Sequence, residues 1–216
     1  MSRTLIVLLL SSVVATVTNA QGFKFSNEEQ AEKARELDRQ AGIQALLATP
    51  CRDRIKNQKI MVVIGEQRNG VVYADQLSYD PHFNAINDRL RALGLRTYTR
   101  DEIRRQIRQA EIDAQFRGDA EAARTAARRL AAQYILRGLI ETNAAPNAII
   151  NVNQVSVRLD FTLTAANGRM VSQASAKNES YAGNDIPRMA LTLIDEKADE
   201  VVARLYSDYC QNAAAR

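Results

Sequence analysis

The sequence predicts an α/β domain, a mixed sheet packed by helices and preceded by a helical arm. Three observations lead there. Lys59-Ile60-Met61-Val62-Val63-Ile64-Gly65 is a continuous apolar run of strand length, as expected of a strand buried on both faces. Val155, Val157, Leu159, Phe161 and Leu163 alternate with Ser156, Arg158, Asp160, Thr162 and Thr164, so a second strand has one buried and one wet face. Between and after these strands lie helical patterns that open on capping residues.

The first element is a three-part export pattern. Arg3 supplies the positive charge, Leu5-Ile6-Val7-Leu8-Leu9-Leu10 begins the apolar stretch, and Thr18-Asn19-Ala20 suits cleavage before Gln21. The apolar run is broken by Ser11, Ser12, Thr16 and Thr18 and is shorter than a membrane span requires. No Cys lies at the cut, so no lipid anchor is expected. Residues 1–20 are thus read as a signal, 21–50 as a helical arm and 51–216 as one α/β domain.

Ser26 to Leu47 reads as a polar helix. Ser26 and Glu29 form its capping box, Ala31, Ala34, Leu37, Ala41, Leu46 and Leu47 its thin apolar stripe, and Pro50 its stop. After the Lys59–Gly65 strand, Glu66 to Asp80 lacks periodicity and reads as a loop. Asp80-Pro81 opens a helix whose inner face is Phe83, Ile86, Leu90 and Leu93, and Gly94 ends it. Leu95 to Tyr98 is a short strand. Thr99-Arg100-Asp101-Glu102 is a capping box that opens a helix facing inward through Ile103, Ile107 and Ala110. Gly118-Asp119 breaks and re-caps the chain before an Ala-rich helix over residues 120–132. Gln133 to Glu141 is a strand, followed by the alternating strand already noted. Asn167-Gly168 predicts a type I′ turn into a returning strand, Met170 to Ser180. Ile186 to Tyr209 is an amphipathic helix facing inward through Met189, Leu193, Ala198, Val201, Leu205 and Tyr209.

Composition narrows function. The chain has 216 residues and a formal net charge of +4. So small an excess supports neither nucleic-acid binding nor polybasic attachment to a membrane. There is no Trp, and aromatic residues make up only 6%, which disfavours a carbohydrate site of stacked rings. The two cysteines, Cys51 and Cys210, allow one intramolecular pairing, and an even count in an exported chain indicates a structural disulfide. Redox or metal roles fit less well, because Cys-x-x-Cys is absent and further ligands are lacking.

The search for reactive groups is sparse in result. His82 is the single histidine and reads as an exposed first-turn residue. Gly-x-Ser-x-Gly, a phosphate-binding glycine loop and the common metal strings are missing. No catalytic residue, metal or cofactor is assigned. Glu111 with Asp113, and Asp195, Glu196, Asp199 and Glu200, read as solvated helix faces, with like charges at i,i+4 mildly unfavourable. Arg100, Arg104 and Arg108 would share one helical face, making them candidate contacts to an anionic partner or else a solvated face.

Several segments resemble a known group. They are Ile60-Met61-Val62-Val63-Ile64, Leu93-Gly94-Leu95-Arg96, Ala131-Ala132-Gln133-Tyr134-Ile135-Leu136-Arg137-Gly138, and Val157 to Thr164 with the turn at Asn167-Gly168. The pattern resembles a periplasmic α/β domain. That domain is shared by the outer-membrane activators of penicillin-binding proteins, the curli secretion channel, the flagellar outer-membrane ring protein and the N-terminal domain of the Tol-system propeller protein. The resemblance spans roughly residues 59–209. It departs at Gln21, where the lipid-anchored members carry Cys, and the channel's membrane-spanning hairpins are not visible. These motifs concern packing and turns, so they imply a fold more than a task. The resemblance implies a non-enzymatic periplasmic binding or assembly factor with a protein partner in the outer-membrane, secretion or flagellar-ring machinery. An envelope hydrolase with a carboxylate-based site and a small-ligand binding domain are the alternatives.

Overall fold

The computed structural model describes residues 27–68, 70–74, 80–149, 151–183 and 185–214. The segment read as a signal and the expected Ser26 cap lie outside these residues. Among the described residues there are seven helices and six strands. The helices are α1 (Asn27–Leu47), α2 (Arg52–Ile55), α3 (Asp80–Ala92), α4 (Arg100–Gln106), α5 (Gln109–Phe116), α6 (Ala120–Leu130) and α7 (Ile186–Ala214). The strands are β1 (Lys59–Arg68), β2 (Val71–Tyr73), β3 (Arg96–Thr97), β4 (Tyr134–Asn147), β5 (Val152–Ala165) and β6 (Met170–Ala182). The chain divides into two compact units, residues 1–38 and 39–216. In the first, α1 begins with the exposed pair Lys33–Glu29 at 3.1 Å.

The larger unit is built on a mixed sheet of order β2-β1-β4-β5-β6, with β3 also paired to β1. β1 runs parallel to β3 and β4, and β4, β5 and β6 form an antiparallel meander. The apolar run is therefore a sheet interior, and Met61, Val62, Val63 and Ile64 are all wholly buried. The alternation in β5 holds as expected. Val155, Val157, Leu159, Phe161 and Leu163 are buried on one face. α7 covers that face of β5 and β6 through Leu193, Ile194, Ala198, Val201 and Leu205. Each of the larger side chains, Leu193, Ile194, Val201 and Leu205, contributes about 1.5–3 kcal/mol on burial. α5 reaches the other face near β1 and β4, where Phe116 lies against Gly65 and Arg137 Nη1 donates to the Gln115 carbonyl at 2.7 Å.

Several boundaries differ from expectation for local reasons. Glu66 to Asp80 is not a plain loop: β1 continues to Arg68 and β2 returns antiparallel through Val71–Tyr73. Gly70, with φ of +79°, stands just before β2, in a hairpin too short for periodicity to reveal. Residues 75–79 and the Asp80 side chain lie outside the description, although α3 does begin at Asp80. The single helix expected after Thr99 is two. Ile107 takes an extended conformation that separates α4 from α5. The Thr99 capping box itself is present. The β5–β6 turn is not type I′, because Asn167 lacks the positive φ that type requires. Instead Gly168 N donates to Ala165 O, Ala165 N donates to Arg169 O, and Gly168 alone has positive φ, +85°. This is a three-residue loop with a glycine bulge. The stripe of α1 is also corrected: Ala31, Ala34, Leu37 and Ala41 are exposed, whereas Ile43 is buried.

Cys51 and Cys210 form a disulfide, with Cα atoms 5.3 Å apart and both residues buried. It ties the start of the sheet unit to the end of α7 over a sequence separation of 159. Tyr206 donates to Thr49 O at 2.8 Å beside it. Replacing both cysteines by serine should lower unfolding free energy by up to about 5 kcal/mol in the chain-entropy picture. Denaturant titration against the oxidised protein measures this. Gly138 faces Phe161 across the β4–β5 ladder, and a methyl there would enter the ring. Gly138→Ala should cost about 1–3 kcal/mol through overpacking, read as a fall in the denaturation midpoint.

Candidate interaction surface

The period-two pattern of β5 and β6 that buries one face sends the remaining side chains to the other. On β5 these are Ser156, Arg158, Asp160 and Thr162, and on β6 Gln173, Ser175, Lys177, Glu179 and Tyr181. α7 packs on the opposite side, so this face is uncovered among the described residues. Its centre is organised by hydrogen bonds. Arg158 Nε donates to Asp160 Oδ2 at 2.6 Å, and Ser175 Oγ donates to Asp160 Oδ1 at 2.7 Å. Burial pushes the Asp160 carboxyl up, but these two donors outweigh it and hold the group below its ordinary value. Glu141, Arg158 and Lys177 form a row across three strands, and Asn143, Ser156 and Glu179 form the next. Together the two rows line a shallow hollow of about 650 Å³. Tyr181 at the end of the face is 53% exposed. The arrangement can present fixed donors, acceptors and both charge signs on a stiff backbone.

The arginines singled out from the sequence are not one face. Arg100 and Arg104 lie on α4, but Arg108 precedes α5, beyond the break at Ile107. Arg104 and Arg108 are exposed and lie beside Asp101 at 3.7 Å and Glu111 at 3.6 Å. The break has a cause at Glu111, whose Oε2 accepts from the Arg108 backbone N–H at 3.0 Å and from Arg129 Nη1 at 2.8 Å. That is half of a capping box, since arginine offers no acceptor in return. Glu111 is therefore buried rather than solvated. The Arg108 N–H first, with Arg129 and Arg108 charge assisting, holds its carboxyl below the ordinary range. The signal was Glu111 three residues after Arg108.

The acidic patch of α7 is likewise tied down. Arg89 of α3 reaches Asp199 at 2.7 Å and Asp195 at 3.0 Å, so one cation offsets the like-charge pair. His82 is half-buried rather than exposed. Desolvation lowers its pKa, while Glu66, buried on β1, opposes that shift. The apolar centre lined by Ile60, Leu136, Leu163, Leu205 and Tyr209 leaves a void of only about 20 Å³, near the space of one water and no ligand cavity. Among the described residues no group of three or more His, Cys, Asp or Glu could hold a metal, and no helix is long and apolar enough to cross a membrane.

No protein-family model and no curated protein matches the chain in sequence. Similarity to solved structures is low in sequence and partial in shape. A PelC dodecamer variant from Paraburkholderia phytofirmans matches at 17% identity over 70% of this chain and 89% of its own, with a TM-score of 0.41. Lipoprotein GNA1162 from Neisseria meningitidis matches at 12% identity over 67% and 97%, with a TM-score of 0.44. The LpoB C-terminal domain from Salmonella enterica matches at 13% identity over 61% and 95%, with a TM-score of 0.38. Likeness at this level carries nothing about activity or partner.

Removing the Glu111 carboxylate should be costly for its size. Glu111→Ala should lose about 1–3 kcal/mol, since it strips the Arg108 N–H and leaves Arg129 without its partner. The Glu111 contribution is fully present above the unfolded carboxylate value of about 4.3 and is lost as pH falls through the depressed folded value. Acid titration of unfolding free energy should therefore fall less steeply for the variant than for the parent below about pH 4.

Proposed function

We propose that this chain is a non-enzymatic binding or assembly factor of the bacterial cell envelope, exported to the periplasm and acting by surface contact. In this reading residues 1–20 are removed on export, 21–50 form an arm and 51–216 hold the binding domain. One observation carries the reading: the face of β5 and β6 opposite α7 presents a rigid, mixed-charge ladder to solvent. A sheet surface preorders its side chains, so little conformational entropy is lost when a partner docks. Alternating charge and hydroxyl groups suit a protein surface of similar polarity, and the near-neutral total charge does not favour a polyanion. The buried Cys51–Cys210 bridge supports an oxidising compartment. Arg100, Arg104 and Arg108 join as rim contacts, changing the rate of encounter more than affinity.

Photo-cross-linking residues placed at Ser175 and Tyr181 in the exported chain should capture an envelope protein, identified by mass, and Arg158→Glu should abolish the adduct. A cross-linker at Arg204, on the exposed side of α7, should capture far less. Equal capture from both faces, or none from the sheet, would refute the docking surface. Adducts of the chain with itself are separated by mass and are not counted.

A further inference from the structure

Among the described residues β6 is an edge of the sheet, and no strand pairs with its outer side. The register with β5 decides which backbone groups face outward. Ala165 N donates to Arg169 O while the Arg169 N–H goes to Asn167 Oδ1, and a bulge at Val171 resets the ladder so that Ser172 opposes Leu163. From there even-numbered residues bond to β5, and Gln173, Ser175, Lys177, Glu179 and Tyr181 turn their N–H and C=O groups to the open edge. Two contacts agree with this parity. The Glu179 N–H is held at 3.1 Å by Asn178 Oδ1, and the Val171 carbonyl accepts from Asn212 Nδ2 at 2.7 Å. Asn212 closes the edge near Val171, and Asn178 Oδ1 holds the Glu179 N–H and would have to release it on pairing; the other outward groups of residues 173–182 are open among the described residues.

Edge strands commonly carry charge that blocks pairing with other chains. The charge here is of a different kind. Lys177 and Glu179 both point to the uncovered face, both are exposed, and neither makes an ion pair among the described residues. Lys177 stands directly opposite Arg158, a like-charge neighbour; both cations act on Asp160, and a further anion would add to that offset.

We propose that β6 pairs antiparallel with β6 of a second copy of this chain, about a two-fold axis at Asn178. This register sets Lys177 opposite Glu179 of the second copy, and the reverse, as a hydrogen-bonded pair with Cα atoms about 5.5 Å apart. Sliding by two residues one way puts Lys177 opposite itself, and sliding the other way puts Glu179 opposite itself. A slide by one residue breaks the parity of the outward groups. The register centred on Asn178 is thus the one among these in which charge and hydrogen bonding agree. It also lays the exposed Tyr181 ring over the small Ser175 of the second copy. A two-fold interface must be self-complementary, and a Lys-x-Glu pair on one strand meets that condition. The result is a continuous sheet across both copies with one long uncovered polar face. This inference does not rest on the envelope partner, since it concerns the purified chain alone.

Sedimentation equilibrium of the purified chain should show a monomer–dimer equilibrium that weakens with salt. Lys177→Glu and Glu179→Lys each place like charges opposite one another twice and should weaken the dimer by about tenfold. The double exchange Lys177→Glu with Glu179→Lys restores opposite charges and should return the constant to within about threefold of the parent. Circular dichroism and melting curves confirm that all four proteins remain folded. A monomer at every concentration overturns the proposal. So does a dimer whose constant is unchanged by the single exchanges or not recovered by the double one.

Discussion

Among the described residues, β4 stands between long neighbours of opposite sense. Ile60 to Gln67 of β1 lie parallel along one edge, and Ala165 to Val152 of β5 lie antiparallel along the other. The parallel half obliges the chain to make a crossover, which α3 to α6 supply between the two strands. The antiparallel half obliges a meander, which ends in the β6 edge. Helix placement follows. α7 seals the buried side of the meander, and α5 approaches the other side only where β1 and β4 run together. The uncovered face of β5 and β6 exists because helices are used up on the parallel side.

Two close approaches set the depth of β4 and its parallel neighbour β1. Gly138 admits the Phe161 ring from the adjacent strand, and Gly65 admits Phe116 from α5 on the far side. A ring resting on a glycine thins the sheet locally and lets helices pack near its axis. Charges of the helical layer are handled by sharing: Arg89 between Asp195 and Asp199, and Glu111 between Arg129 and the start of α5. The Arg89 arrangement costs little because its carboxylates remain in water, and the buried Glu111 carboxylate is offset by its satisfied hydrogen bonds. The disulfide then clamps the two ends of the sheet unit without entering its centre.

The polar ladder on β5 was legible in part. The alternation of Ser156, Arg158, Asp160 and Thr162 identified a wet face, but nothing local told that no helix would cover it. Lys177 and Glu179 carried no signal at all, since an exposed Lys-x-Glu is ordinary until the strand is known to be an edge. The arginine face failed for a related reason. Spacing of four residues predicts one helix surface only if the helix is continuous, and the Glu111 carboxylate ended that continuity by capping the next helix at Arg108.

From its residues alone, this protein was bound to an α/β sheet with a doubly buried first strand, a half-buried fifth strand, a capped helix at Thr99 and a single possible cysteine pair. These follow from periodicity, capping chemistry and counting, all of which act over a few residues or need no geometry. Strand order, the bulged loop after Ala165, the burial of Glu111 and the open edge of β6 were decided by the tertiary structure. Each depends on which segment stands beside which, and backbone hydrogen bonding between distant strands leaves no mark in local composition.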